Sequence, residues 1–145
     1  MWKNQLTVSF PAVSENEALA RGIVGAFVAL MDPTVEELTE IRTAISEAVS
    51  NAVIHGYPQG EGMVTMELYL SDKGGLVMVV EDQGVGIEDV TKAREPLFTT
   101  GMDSERSGMG FTVMESFTDR LEVESSPGKG TKVTMMKRLD VTYGR

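Results

Sequence analysis

Between Thr34 and Gly56 the chain carries one long amphipathic pattern. At roughly 100° per residue, Leu38, Ile41, Ile45, Ala48, Val49 and Ala52 gather on one helical face. A helix of that kind has to lay its stripe on a second layer of structure. Glu47, Asn51 and His55 fall at i, i+4 and i+8 and make a second stripe, on the flank turned away from the apolar face. A carboxylate one turn before a carboxamide suits a base beside a ligand for a hard cation; the same pair also suits a solvated polar face. Thr34 with Glu37 forms a capping box at the start, after the break at Asp32-Pro33. Gly56 reads as a C-terminal glycine stop.

The alternation of Leu6, Val8 and Phe10 predicts a strand over Gln5 to Phe10. Ser14 and Glu17 read as a capping box opening a helix that runs to about Met31, on which Arg21 is the one basic residue, a surface charge or a partner contact. Met63 to Leu70 and Leu76 to Glu81 read as strands joined by a tight connection, hence a hairpin. A short acidic helix follows from about Glu88 to Arg94. Periodicity then disappears from Pro96 to Gly110, a length without its own structure that suggests a lid. Phe111 to Phe117 reads as a helix. Leu121 to Glu124 and Thr131 to Lys137 read as strands around the turn Ser126 to Gly130, and the tail from Arg138 carries no signal. The expectation is an α/β (α+β) two-layer sandwich, with helices on one face of a mixed, mostly antiparallel sheet.

The 145 residues make about one domain's worth, 1–145. With 22 acidic against 13 basic side chains the net charge is −9, which argues against a nucleic-acid surface. An anionic ligand would need local donors rather than a positive field. The chain has no cysteine, so disulfides, zinc–thiolate sites and thiol nucleophiles are excluded. The N-terminus lacks the apolar core of a signal peptide. The longest apolar run, Gly22 to Met31, falls short of the ~20 residues that span a bilayer. The expectation is a soluble cytoplasmic protein.

Four glycine-bearing or polar elements carry the chemistry. They are Glu47 with Asn51, then Asp82-Gln83-Gly84-Val85-Gly86 straight after a strand, then Gly108-Met109-Gly110-Phe111 at a helix start, and finally Gly128-Lys129-Gly130-Thr131. Each Gly-x-Gly alone is explained by a turn; their order and intervals together are not. Glu47 can take the proton of an attacking hydroxyl within its reach. The Asn51 carbonyl is a hard oxygen ligand, suited to Mg²⁺. Asp82 closes a buried strand, where a carboxylate is costly unless it accepts hydrogen bonds. Free N–H groups from Ser107 to Gly110, with the positive end of a helix dipole, would face phosphate. Arg106 suits a terminal phosphate or the incoming substrate. Thr99 and Thr100 either touch phosphate or cap the lid; Thr131 either supports the pocket or is a plain strand residue. His55, the one histidine, reads as structural at the helix end rather than as a phosphoacceptor.

These four elements resemble the N, G1, G2 and closing Gly-Thr motifs of the GHKL (Bergerat-fold) ATP-binding family. Ser14 to Glu17, Leu38 to Ile41, Pro96 to Thr100 and Glu105 to Phe111 extend the resemblance to nearly the whole chain. Within that family they are similar to the anti-sigma-F group of serine-protein kinases from spore-forming bacteria. Gly101 departs from many relatives, which carry Lys there. The resemblance implies ATP/ADP and Mg²⁺ as cofactors, Glu47 as catalytic base and Asn51 as metal ligand. It gives Asp82 the adenine amino group, with Gly84 and Gly86 letting the backbone approach the base. It also implies a sporulation sigma factor that is sequestered and an anti-anti-sigma factor phosphorylated on serine. Arg21 and Arg106 are then partner contacts, and a homodimer is expected. The alternatives are a nucleotide-switched sigma-binding module without phosphotransfer, and a stress-response anti-sigma kinase of the same fold.

Overall fold

The computed structural model describes residues 2–95 and 110–140. Five strands form one sheet: β1 (Trp2–Pro11), β2 (Met63–Ser71), β3 (Gly75–Asp82), β4 (Arg120–Ser125) and β5 (Thr131–Arg138). Their spatial order is β1-β2-β3-β5-β4. All four pairings are antiparallel, so the expected mixed, mostly antiparallel sheet is wholly antiparallel among the described residues. Two hairpins, β2–β3 and β4–β5, stand where the alternation placed them, and β5 pairs with β3 to join them.

Helices α1 (Asn16–Val28), α2 (Val35–Asn51) and α4 (Gly110–Phe117) contribute to the core on one face of this sheet; α3 (Val90–Ala93) is a single turn beside β4. The period of two puts Val64, Met66, Leu68 and Leu70 of β2 inward, with Leu76, Met78 and Val80 of β3 and Val133 and Met135 of β5. The period of 3.6 brings Ile41, Ile45, Ala48 and Val49 of α2 down onto them. Burying each of the Val, Leu, Ile and Met side chains among these stabilises by about 1.5–3 kcal/mol.

The α2 capping box is present in full. Thr34 Oγ1 accepts from Glu37 N at 3.0 Å, and Glu37 Oε1 accepts from Thr34 N at 2.9 Å. At the start of α1 the N-cap is Glu15, which makes no side-chain cap hydrogen bond, rather than the expected Ser14. Glu15 is already helical, the Asn16 and Glu17 amides donate to the Val13 and Ser14 carbonyls, and Asn16 Nδ2 donates to the Pro11 carbonyl at 2.9 Å. After Asn51 the helix widens into a π-type turn, Ala52–Gly56. The tail read as featureless from Arg138 carries structure: Arg138 ends β5, Leu139 is buried, and Asp140 N donates to Glu37 Oε2 at 2.8 Å.

Candidate functional site

The alternation that seals Leu76, Met78 and Val80 into the core places Asp82 next in the same row, only 5% exposed. Its Oδ1 accepts the Gly84 N–H at 2.9 Å. Burial pushes this carboxyl above the usual carboxylate value of 3.8; the Gly84 and Thr131 backbone amides pull it back, and Glu81 adds a smaller upward push. The π-type turn ends against it. A β-carbon on Gly56 would lie 2.8 Å from Asp82 Cγ and 2.9 Å from both carboxyl oxygens.

Gly56 is thus a glycine for a reason other than the expected one. Its backbone does not enter the left-handed region, and Tyr57 follows it as the cap. The residue is small because the carboxylate of Asp82 lies across it.

The loop after Asp82 is pinned at both ends. Val85 N donates to the Gly56 carbonyl at 2.9 Å, and a β-carbon on Gly84 would overlap that same oxygen. Gly86 turns with φ +78° under the Ser126 carbonyl, where any side chain would collide. Gly128 N donates to the Val85 carbonyl at 2.7 Å, tying the β4–β5 turn to the loop. Tyr57 braces the other side: its hydroxyl accepts from Gln83 N at 2.7 Å and donates to the Met63 carbonyl at 2.8 Å.

Glu47 and Asn51 are half-buried on the flank of α2, where they face the start of α4. A β-carbon on Gly110 would lie 3.1 Å from Asn51 Oδ1 and 3.4 Å from Glu47 Oε2. The first turn of α4 therefore abuts a carboxylate and a carboxamide, which fits a phosphate held by helix amides beside a cation. Among the described residues no group of three or more His, Cys, Asp and Glu could hold a metal ion. A cation here would draw most of its ligands from phosphate and water.

The structure thus joins Asp82, Gly84, Gly86 and Thr131 at one end of the sheet, and Glu47, Asn51 and Gly110 at the α2–α4 contact. Asp82 packs on Gly56, one turn beyond Asn51, which links the two groups. Thr131 pairs directly with Asp82 across β3–β5, on the same sheet face. Arg21 is tied to α2 instead: its guanidinium donates to Ser46 Oγ at 2.8 Å, one residue before Glu47. Thr99, Thr100, Arg106, Ser107 and Gly108 lie outside the described residues, as does the expected lid. Sequence reasoning missed Tyr57 and Ser125. Ser125 Oγ accepts from Ile87 N at 2.7 Å and donates to the Gly130 carbonyl at 2.9 Å. Counting the β4–β5 register back from the turn would have set it opposite Thr131.

A carboxyl-ended strand, glycine loops locked to it and a polar helix flank beside a helix start thus lie together at one end of the sheet. The family model described as the histidine kinase-like ATPase domain matches residues 10–137. Anti-sigma F factors are similar over nearly the full chain. The one from a Thermoanaerobacter species is 51% identical over 138 residues, 95% of this chain and 96% of the relative. Those of Bacillus licheniformis and Clostridium perfringens are 50% and 52% identical, covering 94% of this chain each and 94% and 98% of the relatives. The chain belongs to the anti-sigma F factor family, within that ATPase class.

Among solved structures, the RsbU and RsbW domains of a Mycobacterium tuberculosis protein superpose with a TM-score of 0.67 at 20% identity, over 94% of this chain. This chain covers 33% of that one. The blue-light-activated histidine kinase of Erythrobacter litoralis gives 0.58 at 26% identity, over 74% of this chain and 32% of that one. The mycobacterial likeness is one of fold. Among the described residues no helix is long and apolar enough to cross a membrane.

Proposed function

We propose that the chain is a single cytoplasmic ATP-dependent serine-protein kinase domain that binds and inhibits a sporulation sigma factor. It phosphorylates, and so inactivates, the matching anti-anti-sigma factor. The observation that carries this reading is the convergence of Glu47, Asn51 and the first turn of α4, one helical turn from the buried carboxyl of Asp82. A base is superfluous in a site that only binds, and its presence here favours transfer over a pure switch.

Bound ATP and Mg²⁺ supply the transferable phosphoryl group and the charge neutralisation that transfer requires. The residues of the chain do the rest. Asp82 accepts the exocyclic amino group of the base, held in place by Gly84 N–H. Asn51 offers its carbonyl oxygen to the cation. The start of α4 presents amides to phosphate, with Ser107, Gly108, Arg106, Thr99 and Thr100 as further nucleotide-binding residues. Glu47 takes the proton of the partner's serine hydroxyl as its oxygen bonds to the terminal phosphorus and ADP leaves. Arg21 and Arg106 face the protein partners, and the active form is a homodimer.

The test is incubation of the chain with γ-labelled ATP, Mg²⁺ and the anti-anti-sigma protein of the same organism. Label on a serine of that partner, lost on chelation of Mg²⁺, is the expected result. Sigma binding with no label on the partner would leave a nucleotide-switched binding module instead.

A further inference from the structure

Ser125, Thr131 and Asp82 form a row across β4, β5 and β3, each opposite the next in register and all on the helix-bearing side of the sheet. Their hydrogen bonds can be counted. A serine hydroxyl has one proton to give and two lone pairs to receive with. Ser125 Oγ receives the Ile87 N–H at 2.7 Å. It lies 2.9 Å from the Gly130 carbonyl oxygen, which can only accept, so the single Ser125 proton is committed there. The remaining contact, Ser125 Oγ to Thr131 Oγ1 at 2.7 Å, has to be supplied by the proton of Thr131.

Ser125 is then saturated, and the Thr131 hydroxyl has no proton left to offer. Beside it stands the Asp82 carboxyl, whose Oδ1 already receives the Gly84 N–H. We infer that Ser125 is the specificity-positioning residue of the base pocket: by taking the Thr131 proton it leaves Thr131 and Asp82 as a wall of acceptors, which admits a 6-amino purine and rejects a 6-oxo purine. The inference rests on the nucleotide reading above and adds to it a residue that does not touch the base. The physical point is the asymmetry of hydrogen bonding. An acceptor facing the carbonyl of a 6-oxo purine is left buried and unpaired, whereas one facing an amino group is paired.

Calorimetric binding of ATP and of inosine triphosphate, which carries a carbonyl in place of the amino group, tests this without reference to turnover. The unaltered chain is expected to bind ATP at least tenfold more tightly, on the order expected for one mismatched polar contact. In Ser125→Ala the Thr131 hydroxyl is released to rotate and donate, so the ATP-to-inosine-triphosphate ratio falls by about tenfold. Ser125→Thr, which keeps the hydroxyl, retains the parent ratio. On a Thr131→Val background, Ser125→Ala changes the ratio no further, because the released proton was that of Thr131. Equal affinity of the unaltered chain for both nucleotides overturns the inference, whatever the variants do. So does a ratio that Ser125→Ala leaves unmoved, or one that still shifts without the Thr131 hydroxyl. Tight ATP binding with such a result sinks this inference alone; binding of neither nucleotide sinks the nucleotide reading beneath it.

Discussion

Replacing Asp82 by Asn should move stability and binding in opposite directions. The carboxyl is 5% exposed, and burial raises its pKa against the two amides that favour its charge. A raised carboxyl is easier to bury protonated than charged. Its stabilising contribution is therefore fully present below the unfolded value of 3.8 and is lost as pH rises through the higher folded value. At pH 7 the native protein carries that cost, and a carboxamide, of nearly the same shape, removes it. The carboxamide oxygen can still receive the Gly84 N–H that Asp82 Oδ1 receives at 2.9 Å. Urea unfolding at pH 7 should find Asp82→Asn at least as stable as the parent, with the difference shrinking toward pH 4. Binding should go the other way. In the proposed site the carboxamide nitrogen would present a donor where the base presents its own amino group, and loss of a hydrogen bond to a charged acceptor is worth about 1.5–3 kcal/mol. Calorimetry should then show ATP binding weakened by roughly 10- to 150-fold. An Asp82→Asn protein that is both less stable at neutral pH and unimpaired in ATP affinity would refute the reasoning on both counts, leaving Asp82 an ordinary turn residue.

Three further outcomes follow from other contacts. Glu47→Gln should keep nucleotide and sigma binding and lose phosphotransfer by about 100-fold or more, as removal of a general base does; transfer at nearly the parent rate in a single-turnover assay would take the base role from Glu47. Gly84→Ala drives a β-carbon into the Gly56 carbonyl and breaks the Val85–Gly56 hydrogen bond. It should cost about 2–4 kcal/mol, seen as a fall in Tm of roughly 6–12 °C. Gly22→Ala, in the exposed interior of α1 with nothing within 4 Å of the added carbon, should instead raise stability by about 0.5–1 kcal/mol. Equal and small shifts for the two glycines in a thermal melt would mean that the Gly56–Gly84 contact is not closed in solution.

Much of this architecture is legible in the sequence because it rests on local period and local caps. The stripe from Leu38 to Ala52, the Thr34–Glu37 box and both hairpins depend only on residues a few positions apart, and all are present. Glu47 and Asn51 are legible for the same reason, since one helical turn relates them. What cannot be read depends on residues far apart in the chain. Nothing local marks Leu139 as core, or shows that Glu37, after capping α2, also receives the Asp140 amide 103 positions away. The Ser14–Glu17 pattern matches a box, yet the preceding turn already satisfies those amides from the Val13 and Ser14 carbonyls. Gly56 reads as a helix stop, and its actual constraint, the face of Asp82, arises only when β3 and α2 are packed together.

That last contact joins fold to chemistry. A core row of Leu76, Met78 and Val80 would be completed most stably by another aliphatic side chain, and the chain instead ends it with an acid that burial disfavours. Two glycines, 56 and 84, are then needed to bring backbone close enough to accommodate that acid, each giving up conformational stability to do so. A run of local choices that all weaken the fold, and that converge on one carboxyl beside a helix flank bearing Glu47 and Asn51, is the physical signature of a binding site. On the proposed reading it would also explain how a chain of net charge −9 can hold an anion. On that reading the base would be recognised by acceptors facing an amino group and the phosphates by neutral amides at the start of α4, so neither end of the ligand would require a positive surface.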